Sequence, residues 1–355
     1  MNIPEKMKAA VLFGYNDLRV VEKPVPRPGK DEVLIRVKAC AICGTDPKII
    51  AHGWENCPPM GEYILGHEYA GEIVELGEGV TKFKAGDRVA IEPHKGCGHC
   101  VNCLRGYYTT CLNYGKLEEG HRHYGFTVNG GYAEYAVCHI NCCHRFSEKL
   151  SYEDATMLTT AGTALYGIQR AGGIGPGETV AVIGPGPIGL MAVQLARVLG
   201  AGKVILVGTR DSRLAIGREV GADVLVNSRN EDAVEAVERL TDGVMADMVV
   251  ETSGSAAGGA QALELCKKSG RVALVGIYSE PVTVNLNKVV QWNMQIAGGK
   301  AEGEDVLDRL VPLMESGQIK TGPLLTHAFS LDDINEGVRT YKERIGNAIK
   351  VVIRP

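Results

Sequence analysis

The chain has 355 residues, 45% of them hydrophobic, with 38 basic and 42 acidic side chains and a formal net charge of −4. That length suits two domains better than one core, and the charge lacks the basic excess that nucleic-acid binding needs. No segment reaches the roughly 20 apolar residues that cross a bilayer, and the N-terminal MNIPEKMKAAVLF lacks the long apolar stretch of a secretory signal, so the expectation is a cytoplasmic protein with neither membrane nor nucleic-acid partner.

Residues 1–152 read as short strands between glycines and prolines. VLIRVKACAIC, YAGEIVELG, DRVAIEP and GYAEYAVC alternate or run apolar, as strands do, and predict a β-rich first domain. The period turns helical in SYEDATMLTTAGTALYGIQRA, with Ser151 at the N-cap. Over residues 153–291, strands and helices then alternate: TVAVIG, PIGLMAVQLARVLG, KVILVG, RLAIGREVGA, DVLVN, EDAVEAVERLTDG, ADMVVETSG, AQALELCKKSG and RVALVG. This predicts an α/β domain with a doubly wound parallel sheet, complete by Gly276, and helices on both faces. Residues 292–355, with the helix EDVLDRLVPLMESG and the strand-like AIKVVIRP, are expected to return to the first domain.

Within the first domain, Cys97, Cys100, Cys103 and Cys111 are spaced C-x2-C-x2-C-x7-C. Four thiolates that close, with Gly96, Gly98 and Gly106 to turn the backbone, suit one tetrahedral Zn2+ with no position left for water or substrate, hence a structural site. A disulfide pair is a competing reading, but thiols in the cytosol stay reduced. An iron–sulfur cluster also opens with C-x2-C-x2-C, yet continues with x3-C-P, whereas the last gap here is seven with no proline. Cys40, Cys57, Cys138, Cys142, Cys143 and Cys266 read mostly as buried small hydrophobes.

Gly184, Gly186 and Gly189 form G-x-G-x-x-G between the strand TVAVI and a helix opening at Pro187–Ile188. In that setting the triplet predicts a dinucleotide cradle, with the pyrophosphate on the helix N-terminus. The next strand ends in Gly208-Thr209-Arg210, then Asp211. An NAD enzyme usually carries a carboxylate at the position of Gly208. Its absence, with Thr209 and Arg210 able to bind a 2′-phosphate, favours NADP over NAD; the competing reading leaves Arg210 as a surface charge and gives Asp211 the ribose.

Cys43 follows a strand in ACAICGTDPK, and His67 and Glu68 precede one in LGHEYAGEIVELG. A thiolate, an imidazole and a carboxylate suit a zinc that keeps a position open. Spacing alone does not bring them together, and His67 taken singly reads better as a half-buried structural histidine.

Over nearly its whole length the chain resembles the zinc-dependent medium-chain alcohol/polyol dehydrogenases, most of all their sorbitol and threonine dehydrogenase branch. Carrying the resemblance are Cys43-Gly44-Thr45-Asp46, Gly66-His67-Glu68, Gly86-Asp87-Arg88-Val89, the four-cysteine loop, Gly130-Gly131-Tyr132-Ala133-Glu134-Tyr135 and Gly184-x-Gly186-x-x-Gly189. It implies a GroES-like catalytic domain, a Rossmann coenzyme domain, a catalytic zinc on Cys43 and His67 with Glu68 as ligand or close neighbour, and thus a second zinc beside the structural one. It also implies a homodimer or homotetramer paired near WNMQIAGG. Two positions depart from the family. Thr160 stands where relatives commonly carry a Cys, Glu or Asp, leaving water to complete the set; Asp154 is the weaker substitute, since acidic residues there are ordinary helix-start chemistry. Lys48 stands where many relatives carry the histidine of the proton relay; it either holds the cofactor ribose or faces solvent, and His52 lies off the motif.

The implied reaction is reversible hydride transfer between a small-molecule secondary alcohol and NAD(P). Zinc lowers the pKa of the hydroxyl, Thr45 takes its proton and Asp46 orients a ligand. The segment 52–63, the pair His94–Lys95 and the stretch 118–124 are expected to wall the pocket. The polar EEGHRHYG suits a polyol, sugar or hydroxy-amino acid, and an exposed loop equally well. The alternatives are a threonine-type or simple alcohol dehydrogenase, and a zinc-free enone or quinone reductase, against which Cys43, His67 and Glu68 argue.

Overall fold

The computed structural model describes residues 3–355. The chain forms two compact units. One runs up to Thr159 and adds Gly303–Glu315 and Leu325–Pro355; the other comprises Thr160–Glu302 and Ser316–Leu324.

The first unit is built on a seven-stranded sheet. Its strands lie in the order Cys143–Arg145, Arg88–Ile91, Glu68–Leu76, Glu32–Ala41, Lys350–Arg354 and Leu325–Ser330, with Tyr135–His139 also pairing to Glu32–Ala41. Glu32–Ala41 is thus central, and Val33, Leu34, Ile35 and Cys40 are fully buried, which is why VLIRVKACA is nearly continuously apolar. A three-stranded sheet of Asp17–Pro24, Lys6–Gly14 and Tyr63–Ile64, and the two-stranded His94–Lys95 with Arg122–His123, complete this unit.

The second unit carries six parallel strands in the spatial order Val224–Asn227, Lys203–Gly208, Thr179–Ile183, Ala246–Glu251, Cys266–Leu274 and Gln295–Gly298. Numbered along the chain this is 3-2-1-4-5-6, the doubly wound dinucleotide-binding order. Two details differ from the sequence expectation. AQALELCKKSG is not one helix: the helix stops at Glu264, and CKKSG opens the strand Cys266–Leu274. A register shift between Ala246 and Met248, with Ser269 at φ 57°, absorbs the polar residues as an irregularity at the strand's start. The sheet is also not complete at Gly276, because Gln295–Gly298 adds a sixth strand whose residues are largely exposed and so carry little apolar signal.

No described helix is long and apolar enough to cross a membrane. All eleven cysteines are free thiols, and Cys40, Cys138, Cys142, Cys143 and Cys266 are buried as expected, while Cys57 is half-buried.

Candidate metal and coenzyme sites

Register in the first unit explains how residues far apart in sequence meet. Ala41, the last residue of the central strand, pairs with Glu68 on one side and Val352 on the other. The chain leaving Ala41 then turns into the short helix Asp46–His52, with Thr45 at its N-cap. Cys43, His67 and Glu68 are consequently drawn together, one ligand atom from each lying within 4.8 Å of the others. His67 and Glu68 are buried, at 6% and 4% exposure. Gly66 allows this: it sits at φ 91°, and a Cβ there would lie 2.8 Å from Cys40 Sγ and from the Tyr132 ring.

Asp46, fully buried, braces the group. Its Oδ2 accepts from the Cys43 amide at 2.7 Å and from the Tyr132 hydroxyl at 2.8 Å, while Oδ1 lies 3.5 Å from His67 Nδ1. A carboxylate behind one ring nitrogen fixes the tautomer of an imidazole that ligates metal through the other. Burial disfavours protonation of His67, but Cys43 and Asp46 outweigh it and raise its pKa well above the ordinary value. A buried thiol, imidazole and carboxylate converging on one point fit Zn2+. Lys350, only 2% exposed, pairs with Glu68. Desolvation pulls the lysine pKa down; Glu68 and Cys43 more than reverse this and raise it. The Cys43 thiol reaches Thr45 Oγ1 at 3.8 Å, Thr45 is half-buried, and Lys48 and His52 are exposed.

Beside this group runs an aromatic wall. Phe126 lies 4.6 Å from the His67 ring, stacks on His123 at 3.7 Å and meets Trp54 edge-on at 4.9 Å; His123 stacks in turn on His94 at 3.7 Å. The stretch 118–124 is divided by its own alternation. His123 faces the aromatic wall, whereas Arg122 and Tyr124 line a separate cavity of about 240 Å³.

The four-cysteine loop closes on itself. Cys97 and Cys103 sulfurs are 3.9 Å apart, as are those of Cys100 and Cys111. The edge of a tetrahedron with Zn–S bonds of ~2.3 Å is ~3.8 Å, so the lobe fits a single ion. Backbone amides of Cys100, Cys103 and Asn113 point at sulfurs at 3.3–3.5 Å. Desolvation is the largest single influence on the Cys97 thiol and raises its pKa, but the His99 and Cys100 amides with the Asn113 and Cys111 side chains together outweigh it and bring the pKa down to about 6.

In the second unit, Gly184 is at φ 98°, and a Cβ on Gly189 would lie 1.9 Å from the Gly184 carbonyl oxygen. Gly186 caps the helix Pro187–Val198 without a side-chain cap and has open space where its Cβ would stand. This bare helix N-terminus is a cradle that fits a pyrophosphate. A Cβ on Gly208 would lie 2.7 Å from Pro185, so no carboxylate fits there without displacing the cradle. Asp211 Oδ1 accepts from Asn227 Nδ2 at 2.6 Å; Thr209 is exposed and Arg210 half-exposed.

Residues 29–148 match the alcohol dehydrogenase GroES-like domain, and residues 187–316 match the zinc-binding dehydrogenase family. The chain is 34% identical over 356 residues to a sorbitol dehydrogenase of Halalkalibacterium halodurans, covering 98% of this chain and 99% of that one. A zinc-binding dehydrogenase from Sinorhizobium meliloti 1021, solved with NADP, superposes with a TM-score of 0.91 at 29% identity over 99% of this chain and 100% of that one. An Escherichia coli CFT073 dehydrogenase solved with NADH gives 0.88 at 26% identity over 99% and 100%. The chain belongs to the zinc-dependent medium-chain alcohol dehydrogenases. It is accordingly a zinc-binding oxidoreductase that uses a nicotinamide cofactor and acts on a small-molecule alcohol.

In this dehydrogenase, Thr160 is buried on the helix Tyr152–Arg170. Asp154 instead completes a reciprocal N-terminal cap: its Oδ2 accepts from Ser151 N at 3.1 Å, and its own amide donates to Ser151 Oγ at 3.0 Å. Sequence reasoning missed Lys350, Tyr114 and Phe126. Lys350 did leave a signal, a lysine heading the apolar run VVI in AIKVVIRP. The other two owe their place to ring contacts that no spacing rule encodes.

Proposed function

We propose that this dehydrogenase oxidises a secondary alcohol of the polyol or sugar class, reversibly, with NADP+ as the preferred acceptor. The convergence of Cys43, His67 and Glu68 beside Thr45 carries the reading. Those three residues would hold a catalytic Zn2+, and Cys97, Cys100, Cys103 and Cys111 a structural one, two per chain. Bound at the first site, the ion supplies Lewis acidity that lowers the pKa of an alcohol hydroxyl. Thr45, beside the Cys43 thiolate, accepts the hydroxyl proton and passes it on; Lys48 stands on the solvent side of the same short helix, where it can relay it. Asp46 holds Cys43 and His67 in place throughout. The wall of Trp54, Phe126 and His123 shields one side of the site, and the likeness to a sorbitol dehydrogenase supports a substrate with several hydroxyls.

Support for NADP comes from the steric closure of Gly208, the engagement of Asp211 by Asn227, and the free approach to Thr209 and Arg210. Support for a homodimer comes from the sheet edge Gln295–Gly298 and exposed Ile277, Leu286, Val290 and Ile296, at 79, 66, 75 and 38%. The test is nicotinamide reduction by zinc-loaded protein with NADP+ and NAD+ in parallel, over polyols, hydroxy-amino acids and simple secondary alcohols. Turnover of polyols with NADP+ is expected. Turnover with NAD+ alone would overturn the cofactor assignment, and turnover confined to simple alcohols the substrate class.

A further inference from the structure

Tyr114 lies three residues after the last lobe cysteine, and its amide donates to the Cys111 carbonyl at 3.2 Å. Its neighbour Asn113 reaches the lobe sulfurs twice, through its amide to Cys111 Sγ at 3.4 Å and its side chain to Cys97 Sγ at 3.5 Å. On the other side, the Tyr114 hydroxyl meets His123 Nδ1 at 2.7 Å and accepts from Trp54 Nε1 at 3.1 Å. The Tyr114 ring also packs on His121, 4.7 Å between centroids. Gly115 lies flush on the Trp54 loop, since a Cβ there would be 2.6 Å from Asn56 Nδ2, and its amide donates to His121 Nδ1 at 3.1 Å. One phenol therefore joins the cysteine lobe to Trp54 and His123, both of which flank Phe126 on the His67 ring.

We infer that Tyr114 is a positioning residue through which the metal state of the four-cysteine lobe sets the substrate wall of the catalytic site. With the lobe closed, Tyr114 holds the Trp54 indole and the His123 ring at fixed angles to Phe126. With the lobe open, the Cys111–Tyr114 turn is released and both rings lose their shared partner. The lobe then governs alcohol recognition as well as stability. This rests on the proposed pocket, but its physical basis does not.

The chain has two tryptophans, so Trp292→Phe leaves Trp54 as a lone reporter. In that zinc-loaded background, acrylamide quenching of Trp54 is measured with and without Tyr114→Phe and, separately, Cys103→Ser, with zinc per chain counted for each. Quenching is expected to rise in both variants. Tyr114→Phe should raise KM for the alcohol roughly five- to tenfold, the worth of one or two hydrogen bonds, with kcat little changed. If Cys103→Ser fails to fold, Asn113→Ala loosens the same turn more gently and should raise quenching in the same direction. Unchanged Trp54 quenching in Tyr114→Phe overturns the proposal. A change there without one in the lobe variants overturns the coupling to the lobe. Because quenching needs no substrate, an error in the proposed alcohol class would show as absent turnover with these shifts intact.

Discussion

In the proposed reading, chemistry turns on Thr45 and cofactor choice on Arg210. Thr45 Oγ1 lies 3.8 Å from the Cys43 thiol, so Thr45→Val should lower kcat by roughly 10²–10⁴, the usual worth of a positioned proton acceptor. NADP+ affinity should stay unchanged by fluorescence titration; undiminished turnover would remove Thr45 from the relay. For Arg210, loss of a charge-assisted contact worth about 1.5–3 kcal/mol predicts that Arg210→Ala raises KM for NADP+ roughly ten- to a hundredfold and leaves KM for NAD+ nearly as it was. Parallel steady-state kinetics decide it. Gly208 shows what the sequence could and could not convey: the missing carboxylate was legible, but the clash with Pro185 that forbids one needs coordinates. Glu68 was legible as a candidate ligand, while its ion pair with Lys350 depends on register between strands far apart in the chain.

At the scale of elements, strands and helices of the second unit were readable because buried parallel strands are continuously apolar and their helices amphipathic. The exposed edge strand Gln295–Gly298 and the irregular start of Cys266–Leu274 lack that signal. One inter-element clamp in the first unit makes stability depend on pH. His144, on the strand Cys143–Arg145, holds Asp308 of the helix Val306–Glu315 at 2.7 Å through Nδ1 and Glu92 at 3.3 Å through Nε2. Desolvation lowers its pKa, but the two carboxylates raise it to about 9. A folded-state pKa above the unfolded ~6.5 stabilises fully below pH ~6.5 and is lost as pH climbs through about 9, a contribution of about 3 kcal/mol at most. Thermal melts should therefore show a falling Tm between these limits in wild type and a flatter profile in His144→Asn. Parallel slopes would exclude the clamp.

For the whole molecule, the four-cysteine lobe and the glycine cradle were legible as motifs, since four close cysteines and a strand–GxGxxG–helix constrain geometry locally, whereas Cys43, His67 and Glu68 meet only through register between distant strands and were implied by the family resemblance alone. Assembly was not legible, because it depends on surface. Ile277 and Val290 are the most exposed large apolar residues of the second unit, and Val290→Glu with Ile277→Glu should turn the proposed dimer into a monomer by light scattering; an unaltered mass would place the interface elsewhere. In the proposed reading, alcohol oxidation depends on a zinc held by Cys43, His67 and Glu68. This dependence is tested most directly by measuring zinc content, NADP+ binding and alcohol turnover on the same preparations of wild type and His67→Ala. Two zincs with turnover in wild type, against one zinc, retained NADP+ binding and no turnover in the variant, is the expected result; an active, metal-depleted His67→Ala would contradict it.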